Sequence, residues 1–234
     1  MIARAAVVPH PPLLVPELVV ADVPEVRAVR QACVAAARAL AEVSRRWIAV
    51  AAGSGQVGAH SVGTFRGYGV DVRVTLSDDT QGDVDPAMPL PALVAGWLRE
   101  QAGAASVTVY LVDVSTSRSE CEAFGQELAK NQDEPVGLLV LGDGSSRVGD
   151  RAPGRPDERA PGFEDQVAAA FAAADPGALL ALDASLAGEL GADGRVAWQV
   201  LAGAAAGRPW RCVSSERMAP FGVGYHIAVW EPEV

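Results

Sequence analysis

Ile2-Ala-Arg-Ala-Ala-Val-Val8 runs straight into Pro9-His10-Pro11-Pro12-Leu13-Leu14. The first seven residues are almost continuously apolar, as in a strand covered on both faces. Prolines lack the N–H a sheet ladder needs, so the strand ends at Val8. The same pattern recurs at Trp47–Ala52, Val70–Thr75, Ser106–Val112, Val136–Leu141 and Tyr225–Trp230, with a weaker candidate at Trp210–Ser214. Helical stretches separate them: Glu25–Arg46, Pro91–Gln101, Arg118–Asn131, Phe163–Ala174 and Val196–Ala206. Phe163, Val167 and Phe171 repeat every four residues on one helical face. Asp175-Pro176 reads as an N-cap and first-turn proline opening a further helix. Helices between strands predict a three-layer α/β/α sandwich around a central, mostly parallel or mixed sheet, with residues 1–234 as a single domain.

Two segments interrupt this rhythm. Gly53–Gly69 holds six glycines, too many for a stable helix, and 142–162 mixes Gly and Pro with charges. Both read as long loops at one end of the sheet, where sites collect. Half of the 234 residues are apolar, which supports a folded core. The net charge of −10 repels phosphate backbones, so nucleic acid is not an expected partner. No apolar run reaches the length of a membrane span. Cys33, Cys121 and Cys212 lie far apart and form no C-x-x-C pair. They read as small buried hydrophobes in a reducing, cytoplasmic setting.

Several residues have chemistry to offer. His10 sits just past the carboxyl end of the first strand, the usual site edge of an open α/β sheet. Flanking prolines limit the backbone freedom lost when its imidazole is held in place, which suits metal binding or proton transfer. A structural histidine at a tight turn is the competing reading. Gly53 to Gly58 spell G-x-G-x-x-G after a strand. The stretch that follows is broken by glycines where a dinucleotide fold needs a helix, and Asp71 opens a strand instead of closing one. A flexible strand-end loop is therefore expected there. Asp143 follows the fifth strand and reads as a turn former or a polar site residue beside His10. Ser145 and Ser146 have no expected histidine partner, so a serine nucleophile has no support. His60 lies in the glycine-rich loop and His226 in the last strand.

Three separated segments resemble one family. Pro9-His10-Pro11 with Leu13-Leu14 is similar to the first-strand motif of class III extradiol ring-cleavage dioxygenases of the catalytic B-subunit type, with their Memo-like relatives. Leu141-Gly-Asp-Gly-Ser-Ser-Arg147, then Ala152-Pro153 and Pro161-Gly-Phe163-Glu-Asp, resembles the family's Ser-Gly-Asp-Leu-Ser-His-Arg loop and the helix start after it. Ala219-Pro-Phe-Gly-Val-Gly-Tyr225 resembles its closing strand. The resemblance implies an α/β/α sandwich, Fe(II) held by two histidines and a carboxylate or cysteine, and a further histidine as acid–base on a bound phenol.

The chain departs from that pattern at most functional positions. His10 matches the first ligand. The second ligand ends a Ser-Pro-His motif in the family, where this chain reads Ala51-Ala52-Gly53. The acid–base histidine falls at Ser146. The remaining ligand belongs near Val196-Ala-Trp-Gln199, where Gln199 offers only a neutral oxygen. One imidazole holds Fe(II) poorly, since such sites work through several prearranged ligands. His60, Asp143 or Glu216 would have to rebuild the set. The expectation is an extradiol dioxygenase-like protein with a degraded iron site, inactive or altered, whose pocket (His10, Gly53, Asp143, Gln199, His226) binds a small, aromatic molecule or a protein. The alternative is an active Fe(II)- or Zn(II)-dependent dioxygenase or oxidoreductase that uses His10 with unconventional ligands such as His60. Family members commonly assemble, so a homo-oligomer is also expected.

Overall fold

In the computed structural model, which describes residues 1–20 and 23–233, strand β1 (Ile2–Val8) leads through two 3-10 turns into helix α1 (Pro24–Val43). Strands β2 (Arg46–Ala52), β3 (Gly55–Val57), β4 (Val62–Thr64), β5 (Arg73–Thr75) and β6 (Val84–Asp85) follow. Next come α2 (Leu90–Ala102), β7 (Ser106–Val112), α3 (Arg118–Lys130) and β8 (Val136–Leu141). The chain closes with α4 (Ala160–Ala173), α5 (Pro176–Leu180), α6 (Ala184–Leu190), α7 (Arg195–Ala204), β9 (Trp210–Met218) and β10 (Tyr225–Pro232).

The large sheet has seven strands in the order β3-β7-β2-β8-β1-β10-β9. Its centre, β7-β2-β8-β1, is parallel, while β3, β10 and β9 run antiparallel to their neighbours. This is the mixed α/β sandwich that the strand–helix alternation predicts. Side chains alternate across the sheet, and the core divides accordingly. Ile2, Ala5 and Val7 of β1 face the layer of α3, α4 and α7, where Phe163, Phe171 and Trp198 are buried. Ala6 and Val8 face α1 and α2, with Cys33, Leu40 and Trp97.

The structure corrects the sequence reading in several places. The expected strand Val70–Thr75 shrinks to Arg73–Thr75 and leaves the main sheet. It pairs with β4, and β4 with β6, in a separate three-stranded sheet. The physical reason lies just upstream: a 3-10 turn at Phe65–Tyr68 is capped by Gly69 at φ 98°, and this reverses the chain too late for a longer strand. The glycine-rich stretch is therefore structured, holding β3 and β4 rather than a bare loop. Strand β9 also runs four residues past the expected end at Ser214, and α6 appears where no helix was expected, opened by the Asp183 side chain accepting from the Leu186 N–H. The three cysteines are free; Cys33 and Cys121 are buried, but Cys212 is only half-buried because β9 is an edge strand.

Close layers need small residues. Helices α3 and α7 approach so tightly that a Cβ on Gly125 would overlap the Val200 carbonyl, and one on Gly203 would overlap the Glu122 carbonyl. Replacing Gly203 with Ala gains at most about 1 kcal/mol in helix propensity. Forcing the helices apart costs about 1–3 kcal/mol. The expected outcome is a net loss of stability for Gly203→Ala in urea unfolding. Gly188→Ala in α6, where an added Cβ meets open space, is expected to be neutral or stabilising.

Candidate functional site

Parallel strands deliver their carboxyl ends to one edge of the sheet, and the candidate residues gather there. Past Val8, the 3-10 turns Pro12–Leu14 and Pro16–Leu18 carry the chain away. The Arg30 side chain of α1 donates to the Leu13 and Leu14 carbonyls and ties this turn down. At the neighbouring end of β8, the Gly142 N–H donates to the Val8 carbonyl at 3.0 Å. Asp143 is thereby set against His10.

The His10 backbone N–H donates to Asp143 Oδ1 at 3.0 Å, and the ring Nδ1 stands 3.9 Å from the same oxygen. Nδ1 is buried and has no hydrogen-bond partner among the described residues. Tyr225, at the start of β10, and Cys33 of α1 lie within the field of Asp143. Burial pushes both the Tyr225 phenol and the Cys33 thiol well above their ordinary ranges, and the Asp143 charge adds to it. At neutral pH both are protonated, so neither is a ready nucleophile or anion.

A second pair lies behind the first. His226 Nε2 is 2.7 Å from Glu164 Oε2, with both side chains almost wholly buried. The imidazole stands against Phe171 and Trp198, each ring centroid 5.7 Å away. The other carboxylate oxygen, Glu164 Oε1, accepts the Ser145 N–H at 2.7 Å. Gly144 donates its N–H to the Gly224 carbonyl, and Gly224 returns one to the Ser145 carbonyl. A Cβ on Gly144 or Gly224 would strike the Glu164 carboxylate, so glycine is required at both positions. The loop that presents Asp143 is thus gripped by α4 and β10.

The other expected site residues do not join this constellation. Gln199 is fully buried and already engaged. Its Oε1 accepts from Arg195 at 2.8 Å, and its Nε2 faces the carbonyls of Leu179, Leu180 and Leu182 at 3.4 Å. Ser146 donates its N–H to the Leu190 carbonyl and sets its hydroxyl against Gly191. His60 is exposed in the turn between β3 and β4. Gly53 follows β2 in a positive-φ conformation, donating its N–H to the Val112 carbonyl. Glu216 lies exposed on β9 opposite Ile227. Glu164 is the residue that sequence reasoning missed. Its signal was present: with Val167 and Phe171 it forms an i, i+3, i+7 stripe, and a carboxylate on such a buried face needs a partner.

An iron centre of the extradiol type needs three side-chain ligands around one point. The donors do not fit it. Among the described residues, no group of three His, Cys, Asp or Glu side chains stands close enough to hold a metal ion. His10 has Asp143 alone, and His226 is occupied by Glu164.

No family model matches the chain, and no curated protein sequence does. Among solved structures, it is similar to the uncharacterized protein JW3007 from Escherichia coli K12. The TM-score is 0.57 at 14% identity, over 98% of this chain and 99% of that one. The likeness is one of fold alone. Among the described residues, no helix is long and apolar enough to cross a membrane.

Glu164→Ala strips two buried groups, the Ser145 N–H and the His226 ring, of their partner. A loss of about 3–5 kcal/mol is expected in denaturant unfolding. Glu164→Gln keeps an acceptor for one of them and is expected to cost less. Equal stability of Glu164→Ala and the parent would contradict the clamp.

Proposed function

We propose that the chain keeps the class III extradiol dioxygenase scaffold with a degraded iron site, and uses the sheet edge around His10 and Asp143 to bind a small, aromatic molecule. The observation that supports this reading is the state of the donors at that edge. His10 survives at the position of the family's first ligand, prearranged by prolines and facing Asp143. The positions of its partners carry Gly53, Ser146 and Gln199, and Gln199 is bonded elsewhere. A lone imidazole beside one carboxylate is a weak cation anchor but a serviceable hydrogen-bonding dyad. The His10 and Asp143 side chains are 15% and 28% exposed, and Nδ1 has no hydrogen-bond partner among the described residues, so the pair keeps capacity for a phenol or a similar donor–acceptor group.

A second reading rests on the same atom. In the tautomer that carries its proton on Nε2, the unpaired Nδ1 offers a metal-binding lone pair, and with Asp143 it would supply two of the three ligands that a non-haem Fe(II) or Zn(II) oxidoreductase needs.

Metal analysis of the full chain, purified without chelator, separates the two. Under the first reading iron and zinc are substoichiometric, His10→Ala leaves them unchanged, and catechols cause no oxygen uptake. Catechol itself is the probe for binding, and its saturable fluorescence signal is expected to weaken in His10→Ala and Asp143→Asn. Stoichiometric iron or zinc lost with His10→Ala would reject the first reading in favour of the second.

A further inference from the structure

On the α3, α6 and α7 side of the same sheet edge lies a cavity of about 270 Å³, lined by Val114, Ser115, Ala187, Gly188, Asp193 and Arg195 among others. Arg195 is the unusual member. It is the first residue of α7 and only 4% exposed. Its Nη1 donates to the Thr116 carbonyl at 3.2 Å and to Gln199 Oε1 at 2.8 Å, and its Nη2 donates to the Val114 carbonyl. All of these acceptors are neutral. Among the described residues, no carboxylate stands within ion-pair distance of the guanidinium, whereas the other buried arginine, Arg99, has Asp78 at 2.5 Å.

A buried cation without a counter-charge is costly, by several kcal/mol, and carbonyl dipoles offset only part of that. Arg195 also has donors to spare. A guanidinium carries five N–H groups, and those bonds leave the Nε–H and a second hydrogen on Nη2. A planar oxyanion accepts from two such hydrogens at once. The amino end of α7 adds its positive dipole to the same place. Asp193 also lines the cavity, but its carboxylate is exposed and forms no ion pair with Arg195, so solvent screens its charge.

From the uncompensated guanidinium and the cavity it lines, we infer that this chain has an oxyanion-binding site at Arg195, distinct from the His10–Asp143 pair on the same edge. The ligand class is a small molecule bearing a carboxylate or a phosphate. Arg195 supplies the charge and the fork, and Ser115 and the first turn of α7 supply the wall. The site does not depend on what His10 binds.

The test is an NMR titration of the full chain with sodium acetate and, separately, with sodium phosphate, holding ionic strength constant with sodium chloride. The Arg195 Nε–H and the Ser115 and Gly188 amides are followed. Saturable shifts with either anion are expected. Saturation by acetate assigns a carboxylate, and saturation by phosphate assigns a phosphate. Arg195→Gln is expected to weaken binding roughly tenfold or more. Gly188→Leu keeps the cation and projects a side chain where space is open, so it is expected to weaken binding without unfolding the protein. It carries the test if Arg195→Gln fails to fold. Shifts that do not saturate, that chloride reproduces, or that persist at full strength in Gly188→Leu overturn the inference.

Discussion

The carboxylate of Glu164 is the fixed point of the site. It is almost wholly buried and accepts from the Ser145 N–H while facing the His226 ring. A charge taken out of water is tolerated only when its lone pairs are filled, so these partners cannot move independently. The loop after β8, the start of α4 and the start of β10 are therefore held as one unit. Asp143, two residues before Ser145, inherits its place from that clamp, and the His10 backbone N–H is bonded to Asp143 in turn.

Small side chains make this possible. Glycine at 144 and 224 lets the Glu164 carboxylate reach the backbone, and Gly142 and Gly194 make room for the Trp198 indole. The same economy brings α3 onto α7 through Gly125 and Gly203. The interior is tight around a few large rings, Trp198, Phe171 and Trp230, whose edge-to-face contacts wall the His226 pocket. Close backbone approach also lets polar side chains such as Arg195 and Gln199 find carbonyl acceptors deep in the α7 layer. The result is an edge with two unlike polar centres. One is the histidine–aspartate pair at the ends of β1 and β8. The other is the guanidinium beside the loop that follows β7.

Much of the architecture was legible in the chain. Continuous apolar runs marked β1, β2, β7, β8 and β10, because a strand covered on both faces needs no polar alternation. The Asp175-Pro176 start was also readable, since capping is a local matter of side-chain oxygen and backbone N–H. What failed was pairing. Arg73–Thr75 has the composition of a main-sheet strand, yet its partner is β4, and no local preference records which strand lies beside which. The full length of β9 was hidden for a related reason: Ser214 to Arg217 are exposed polar residues that become strand only because β10 offers them a ladder.

The site divides in the same way. His10 and Asp143 could be placed at one edge from sequence because each directly follows a strand, and parallel strands end together. Gln199 and Ser146 were drawn toward that edge by resemblance to family motifs, and His60 by its place in the glycine-rich loop, but neither signal records which groups are already bonded or which way an exposed turn faces. The amino-acid sequence by itself determined the layers and the strand-end placement of His10 and Asp143, both of which follow from local pattern and residue identity. The tertiary structure alone decided that Glu164 holds the loop, that Gln199 faces inward and that Arg195 has no counter-charge among the described residues. Each of these depends on partners distant in the chain, and burial gives a polar group its meaning only once its neighbours are known.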